Sequence, residues 1–215
     1  MSPTRPCGWC YAVLAPLSLV LAGCGGPETL SLPSYSPSGS AAKAMELYDT
    51  NSDGFVGSEE LENAPGLRAA LRNLDQDKDG KVSEEEVAER AQSWEDMRIG
   101  IMRFNATFLL DGKPLGNADI VFEPEEFMLD AVQPTAGQTD LGGYITPRVP
   151  KEKRPTPDTP PGMQAGIYKI RVSKVEAGKE TIPARYNTDT VLGQEVSSDD
   201  YAIVNKKVIF KLKSK

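Results

Sequence analysis

Residues 49–60, DTNSDGFVGSEE, and residues 75–86, DQDKDGKVSEEE, decide how this chain of 215 residues is read. Asp49, Asn51, Asp53 and Glu60 stand at positions 1, 3, 5 and 12 of the first stretch, and Asp75, Asp77, Asp79 and Glu86 stand at the same positions of the second. Ca²⁺ takes six to eight hard oxygen ligands at about 2.3–2.6 Å, so side chains at alternating positions must converge while a final Glu closes the sphere with two oxygens. Position 7 gives a backbone carbonyl, which assigns Phe55 and Lys81 as further ligands. Gly54 and Gly80 hold position 6, where the chain bends with φ > 0 and a glycine does so without steric cost. The spacing therefore predicts two Ca²⁺ sites.

A solvated acidic linker is the plain alternative for so many carboxylates. Two matches in one register, each with Gly at 6, Val at 8 (Val56, Val82) and Glu at 12, argue against it. The flanks are amphipathic. Ala44, Leu47 and Tyr48 precede the first loop, Leu67, Leu71 and Leu74 precede the second, and Val87, Ala91 and Trp94 follow it, all at helical spacing. Only residues 61–74 join the loops, so the inner helices must be short, with Pro65-Gly66 between them. The whole resembles a pair of EF-hands over about residues 41–91, within a helical unit set at 41–98. The second loop, with four ligand carboxylates and Ser83 at position 9, is expected to bind more tightly than the first, which has three, Asn51 and Gly57.

The N-terminus carries Arg5, an apolar run at 11–21 (YAVLAPLSLVL) and the small residues Ala22-Gly23. This is the layout of a removable signal peptide, 1–23, too short and too interrupted by Pro16 to span a bilayer. Leu21-Ala22-Gly23-Cys24 resembles the lipobox of bacterial lipoproteins. That resemblance implies cleavage before Cys24, lipid on its thiol, and an extracytoplasmic protein anchored to a bacterial membrane. Gly25 in place of Asp points to the outer membrane, facing periplasm or cell surface. Cys7 and Cys10 would leave with the leader, so no internal disulfide is expected. Residues 24–40, rich in Gly, Ser and Pro, read as a flexible tether.

Charge divides what remains. Residues 45–96 hold fifteen acidic and five basic side chains, whereas residues 97–215 hold fifteen acidic and seventeen basic, so the net −7 belongs to the loop-bearing half and argues against nucleic acid as a partner. From Ile101 the period changes to two. Met102, Phe104, Ala106, Phe108 and Leu110 alternate with Arg103, Asn105 and Thr107; a turn at 111–114 follows, and Ala118, Ile120 and Phe122 resume the pattern, as in a hairpin. Residues 144–146, 167–173 and 203–212 supply further strands. The expected fold class is α+β, a helical pair followed by a separate antiparallel β-sandwich. Residues 147–161, with six prolines and a basic knot at 151–154, read as an exposed loop, with a binding loop as the sharper alternative.

FLLDGKPLGNADIVFEP (108–124), GQTDLGGYI (137–145), AGIYKIRVSK (165–174), IPARYNTDT (182–190) and VIFKLK (208–213) are together similar to a carboxypeptidase regulatory-like domain, a transthyretin-type sandwich spanning 101–215. In that family such domains are non-catalytic accessory or adhesive modules, and the Pro-rich insertion after Thr146 departs from its pattern. The chain has no histidine and no GxSxG, Walker A or GxGxxG motif, so no enzyme is expected. The acids Glu123, Glu125, Glu126 and Asp130 read as a solvated loop. The expected role is calcium-dependent binding or structure at the envelope, with an envelope protein or a polysaccharide as partner. Two alternatives stand beside it: an accessory or cryptic hydrolase using those acids, and a dockerin-like module presenting Leu67, Leu71 and Trp94.

Overall fold

A computed structural model describes residues 1, 32–154 and 158–215. The leader, Cys24 and the first part of the expected tether, residues 24–31, lie outside these residues. Helix α1 (Pro37–Tyr48) runs into the first loop, which is followed by the short strand β1 (Phe55–Val56) and a single helical turn, α2 (Ser58–Leu61). Helix α3 (Pro65–Leu74), strand β2 (Val82–Ser83) and helix α4 (Glu84–Met97) repeat the arrangement. Both α1 and α3 begin on proline, whose fixed φ suits a first helical turn and whose missing N–H costs nothing there. The tether is accordingly shorter than expected: α1 starts inside it, and Tyr35, ahead of the helix, is buried.

The β part contains β3 (Ala106–Leu110), β4 (Lys113–Pro114), β5 (Asp119–Pro124), β6 (Thr135–Gln138), β7 (Tyr144–Ile145), β8 (Gly166–Ser173), the small hairpin β9 (Val175–Glu176) and β10 (Lys179–Glu180), β11 (Gly193–Val196) and β12 (Val208–Leu212). One sheet has the order β11-β8-β5-β6 and the other β12-β3-β4, with β7 pairing with the start of β3 along the edge that β4 pairs at its end. Alternation sorts the faces. Ile120, Phe122, Tyr168, Ile170 and Val172 are fully buried, Phe108 and Ile145 oppose them from the second sheet, and Phe104 meets Phe122 edge-on at 5.4 Å.

Three expectations are corrected. The turn at 111–114, with Asp111 and Gly112 both at positive φ, folds β3 onto β4 alone, and β5 departs to the other sheet. Residues 201–204 form helix α5 (Tyr201–Val204) rather than the start of a strand, because the Asp200 carboxylate caps the N–H groups of Ala202 and Ile203. Strand β12 lies parallel to β3, not antiparallel, an arrangement open to it because a long connection separates the two.

Nor are the two halves separate modules. α3 packs on β11 and β8, and α1 packs on α4 and on the 3₁₀ turn Glu126–Met128. Along β8 the side chains facing away from the sandwich are Ile167, Lys169 and Arg171; Ile167 is fully buried beneath α3, whereas Arg171 is exposed. The backbones come close enough that a Cβ on Gly193 of β11 would stand 2.0 Å from the Pro65 carbonyl oxygen. Buried side chains of helices and sandwich form one continuous core. Leu67 and Trp94 belong to it, so most of the apolar face that a dockerin-like role needs is already covered within the chain.

Candidate metal centre

The two loops share one scheme of backbone bonds to their acids. In the first, the N–H groups of Asp53 and Gly54 donate to the two Asp49 carboxylate oxygens at 3.1 and 3.0 Å, the Asp53 N–H also reaches Asn51 Oδ1 at 2.8 Å, and Phe55 N–H donates to Asp53 Oδ1 at 3.0 Å. In the second, Asp79 and Gly80 donate to Asp75 at 3.1 and 3.0 Å, Asp79 N–H reaches Asp77 Oδ1 at 3.1 Å, and Lys81 N–H donates to Asp79 Oδ1 at 2.8 Å. Local side-chain acceptors thus wind the backbone around the acids. Gly54 and Gly80 sit at φ +89° and +82° with nothing within 4 Å of a hypothetical Cβ, so backbone conformation, not space, selects glycine there.

The closing glutamates are fixed from both ends. Glu60 Oε1 accepts from Thr50 N–H and Oγ1 at 2.8 and 3.0 Å, and its Oε2 accepts from Gly57 N–H at 2.8 Å. Glu86 accepts from Gln76 N–H at 2.9 Å and from Ser83 N–H at 2.8 Å, while Ser83 Oγ caps α4 through the Glu86 N–H. The Gly57 N–H, helped by Thr50 and Asn51, holds the Glu60 carboxyl below the usual range. Thr50 and Gln76, at position 2, were not singled out by the spacing argument, yet they orient the last ligand position.

Asp75, Asp77 and Glu86 each bring a carboxylate oxygen within 4.8 Å of the others, in the described residues. Asp79 turns toward the Lys81 N–H, and Asp53 likewise toward Phe55. The loops are joined back to back: β1 and β2 pair antiparallel, Phe55 opposite Ser83 and Val56 opposite Val82, with both valines fully buried. The Lys81 ammonium lies 4.9 Å from the Phe55 ring centroid, across the pair.

A second set of charges fastens this unit to the sandwich. Glu125, expected in a solvated loop, is entirely buried. Its Oε2 accepts from Tyr48 Oη at 2.7 Å, its Oε1 accepts from Gly66 N–H at 2.9 Å, and Lys169 Nζ is 3.6 Å away. Burial raises its pKa against the pull of Tyr48 and Lys169. Glu123 pairs instead with Arg171 on the strand surface at 3.0 Å. On the other side Arg90 of α4 holds buried Glu195 of β11 at 2.5 Å and grips Asp199 with two nitrogens at 2.8 and 2.9 Å, while Asn73 Nδ2 donates to Glu195 at 2.6 Å. The Arg90 guanidinium brings Asp199 down to about 2, while burial raises Glu195.

Loop geometry, short inner helices and the β1–β2 joint together define a paired EF-hand within an α+β chain. Residues 42–64 and 67–89 each match the family model described as EF hand, and each match spans one complete loop. That domain points to calcium binding. No curated protein matched the chain.

Proposed function

We propose that the chain is a calcium-binding, membrane-anchored envelope protein in which the ions order a helical pair that packs on a β-sandwich. The observation that carries this reading is the shared scheme by which backbone N–H groups wind around Asp49, Asn51 and Asp53 in one loop and around Asp75, Asp77 and Asp79 in the other, with Glu60 and Glu86 held across each loop's end. All of these offer hard oxygen, and the carbonyls of Phe55 and Lys81 add one more each, a donor set suited to Ca²⁺ rather than to softer metals. Bound Ca²⁺ would supply positive charge that lets the clustered carboxylates stay together. Adding calcium to the chelator-stripped full chain should increase helical circular dichroism to a plateau; an unchanged spectrum and unchanged melting would remove the structural role.

Anchoring rests on Leu21-Ala22-Gly23-Cys24. No helix among the described residues is long and apolar enough to cross a membrane. Lipid on Cys24 would place the protein at a bacterial membrane, the outer one by the Gly25 criterion, with two or three acyl chains giving stable attachment where one would not. Mass spectrometry should find an N-terminal peptide heavier than its sequence, and Cys24→Ser should abolish both the added mass and detergent partitioning. An unmodified mature N-terminus would leave a secreted calcium protein. The sandwich, similar to carboxypeptidase regulatory-like domains, is proposed as the non-catalytic part that meets an envelope protein or polysaccharide.

A further inference from the structure

Three strands of the second sheet bring positive charge to one end. Arg103 and Asn105 lead into β3, Thr146 and Arg148 leave its antiparallel neighbour β7, and Lys206 leads into β12, which runs parallel to β3. Ala106 and Ile145 point into the core, so the alternate positions 103, 105, 144 and 146 lie on the other face, where Arg103 and Tyr144 are exposed and Asn105 is buried beside them. They line a cleft of about 290 Å³ together with Arg148 and Lys206, and a second hollow of about 170 Å³ shares Arg103, Asn105 and Lys206. No acidic side chain lines either one, and Arg103, Arg148 and Lys206 have no ion pair or side-chain hydrogen bond among the described residues. In an otherwise acidic protein this is an uncompensated cluster.

Asn105 sharpens the point. It is only 7 % exposed, its Oδ1 is occupied by the Thr146 hydroxyl at 2.7 Å, and its Nδ2 has no acceptor among the described residues. Its Nδ2 reaches solvent at the edge of the cationic cleft, where water or a ligand oxygen can accept from it. Tyr144 stands beside it with 43 % of its surface exposed, an apolar ring face with a polar tip. We propose that this cleft binds a carboxylate-bearing sugar residue. The guanidinium forks match a carboxylate, Asn105 and Thr146 suit hydroxyl groups, and Tyr144 offers a flat platform to the ring. The volume lies at the lower end of small-molecule sites, room for one ring at a time. The inference refines the proposed polysaccharide partner, and it uses no residue of the calcium loops.

Isothermal titration of the detergent-solubilised full chain with galacturonate, a galacturonate trimer, galactose and inorganic phosphate tests it. Galacturonate should bind with Kd of about 1 mM or tighter and galactose about tenfold more weakly. A trimer that binds more tightly than the monomer assigns the site to a polymer, and equal affinities assign it to the free sugar acid. Arg103→Ala, Arg148→Ala and the turn variant Lys206→Gln should each weaken galacturonate about fivefold, and Tyr144→Ala should weaken galacturonate but not phosphate. Calcium stoichiometry, read on the same samples, serves as the folding control and keeps this result separate from the calcium assignment. Galactose binding as well as galacturonate, phosphate binding equally well and indifferent to Tyr144→Ala, or no binding by a calcium-competent chain would each overturn the proposal.

Discussion

Tyr48 Oη donates to Glu125 Oε2 at 2.7 Å, joining the last residue of the helix that enters the first loop to a carboxylate with no exposed surface. Asp49, the first ligand position, follows Tyr48 directly, and Glu125 also receives the Gly66 N–H from the start of α3. One buried side chain of the β part therefore sets the angle between helices of both loops.

Glu125→Ala should cost about 2–4 kcal/mol in chemical denaturation, since it strands the Tyr48 hydroxyl and the Gly66 N–H away from water. pH gives an independent reading. Burial raises the folded-state pKa of Glu125, so folding favours its protonated form, and its contribution to stability falls as pH rises from the ordinary carboxylate value through the raised one. Glu125→Gln should flatten that part of the stability profile; an unaltered slope would place the titration elsewhere.

Arg90 is the matching clasp on the opposite side. Arg90→Met leaves Glu195 buried without its cation and should destabilise by about 3–5 kcal/mol, whereas Arg90→Met with Glu195→Leu should recover most of the loss. If the double variant were as unstable as the single one, hydrophobic contact rather than charge would explain the clasp.

Gly193→Ala tests the closeness of helix and sheet. Its new Cβ meets the Pro65 carbonyl oxygen, a backbone atom that cannot swing aside, so α3 must shift. A loss of about 1–3 kcal/mol is expected. Full stability in this variant would mean that α3 sits farther from β11.

How much of this the sequence carried depended on the range of the interaction. The loops were legible because all their constraints lie within twelve residues, and the amphipathic helices and the strands β3, β5 and β8 because their periods are local. β6 (TAGQ) and β11 (GQEV) were missed: neither alternates, and each is defined by the neighbour it pairs with. The burial of Glu125 and Glu195 had no local signal at all. Their partners stand 77 and 105 residues away, and clustered acids without known partners read as solvated.

A separate sandwich would be indifferent to calcium, but one continuous core cannot be. Scanning calorimetry should show a single transition that moves as a whole, with calcium adding about 2.7 kcal/mol at a hundredfold excess over Kd. Two transitions, only one of them sensitive to chelator, would contradict the shared core.

The most direct measurement is calorimetric titration of the chelator-stripped full chain with calcium. Two ions per chain are predicted, the tighter at the second loop, with Glu86→Gln impairing that site and Glu60→Gln the weaker one. One ion, none, or two whose affinities ignored both substitutions would contradict the account.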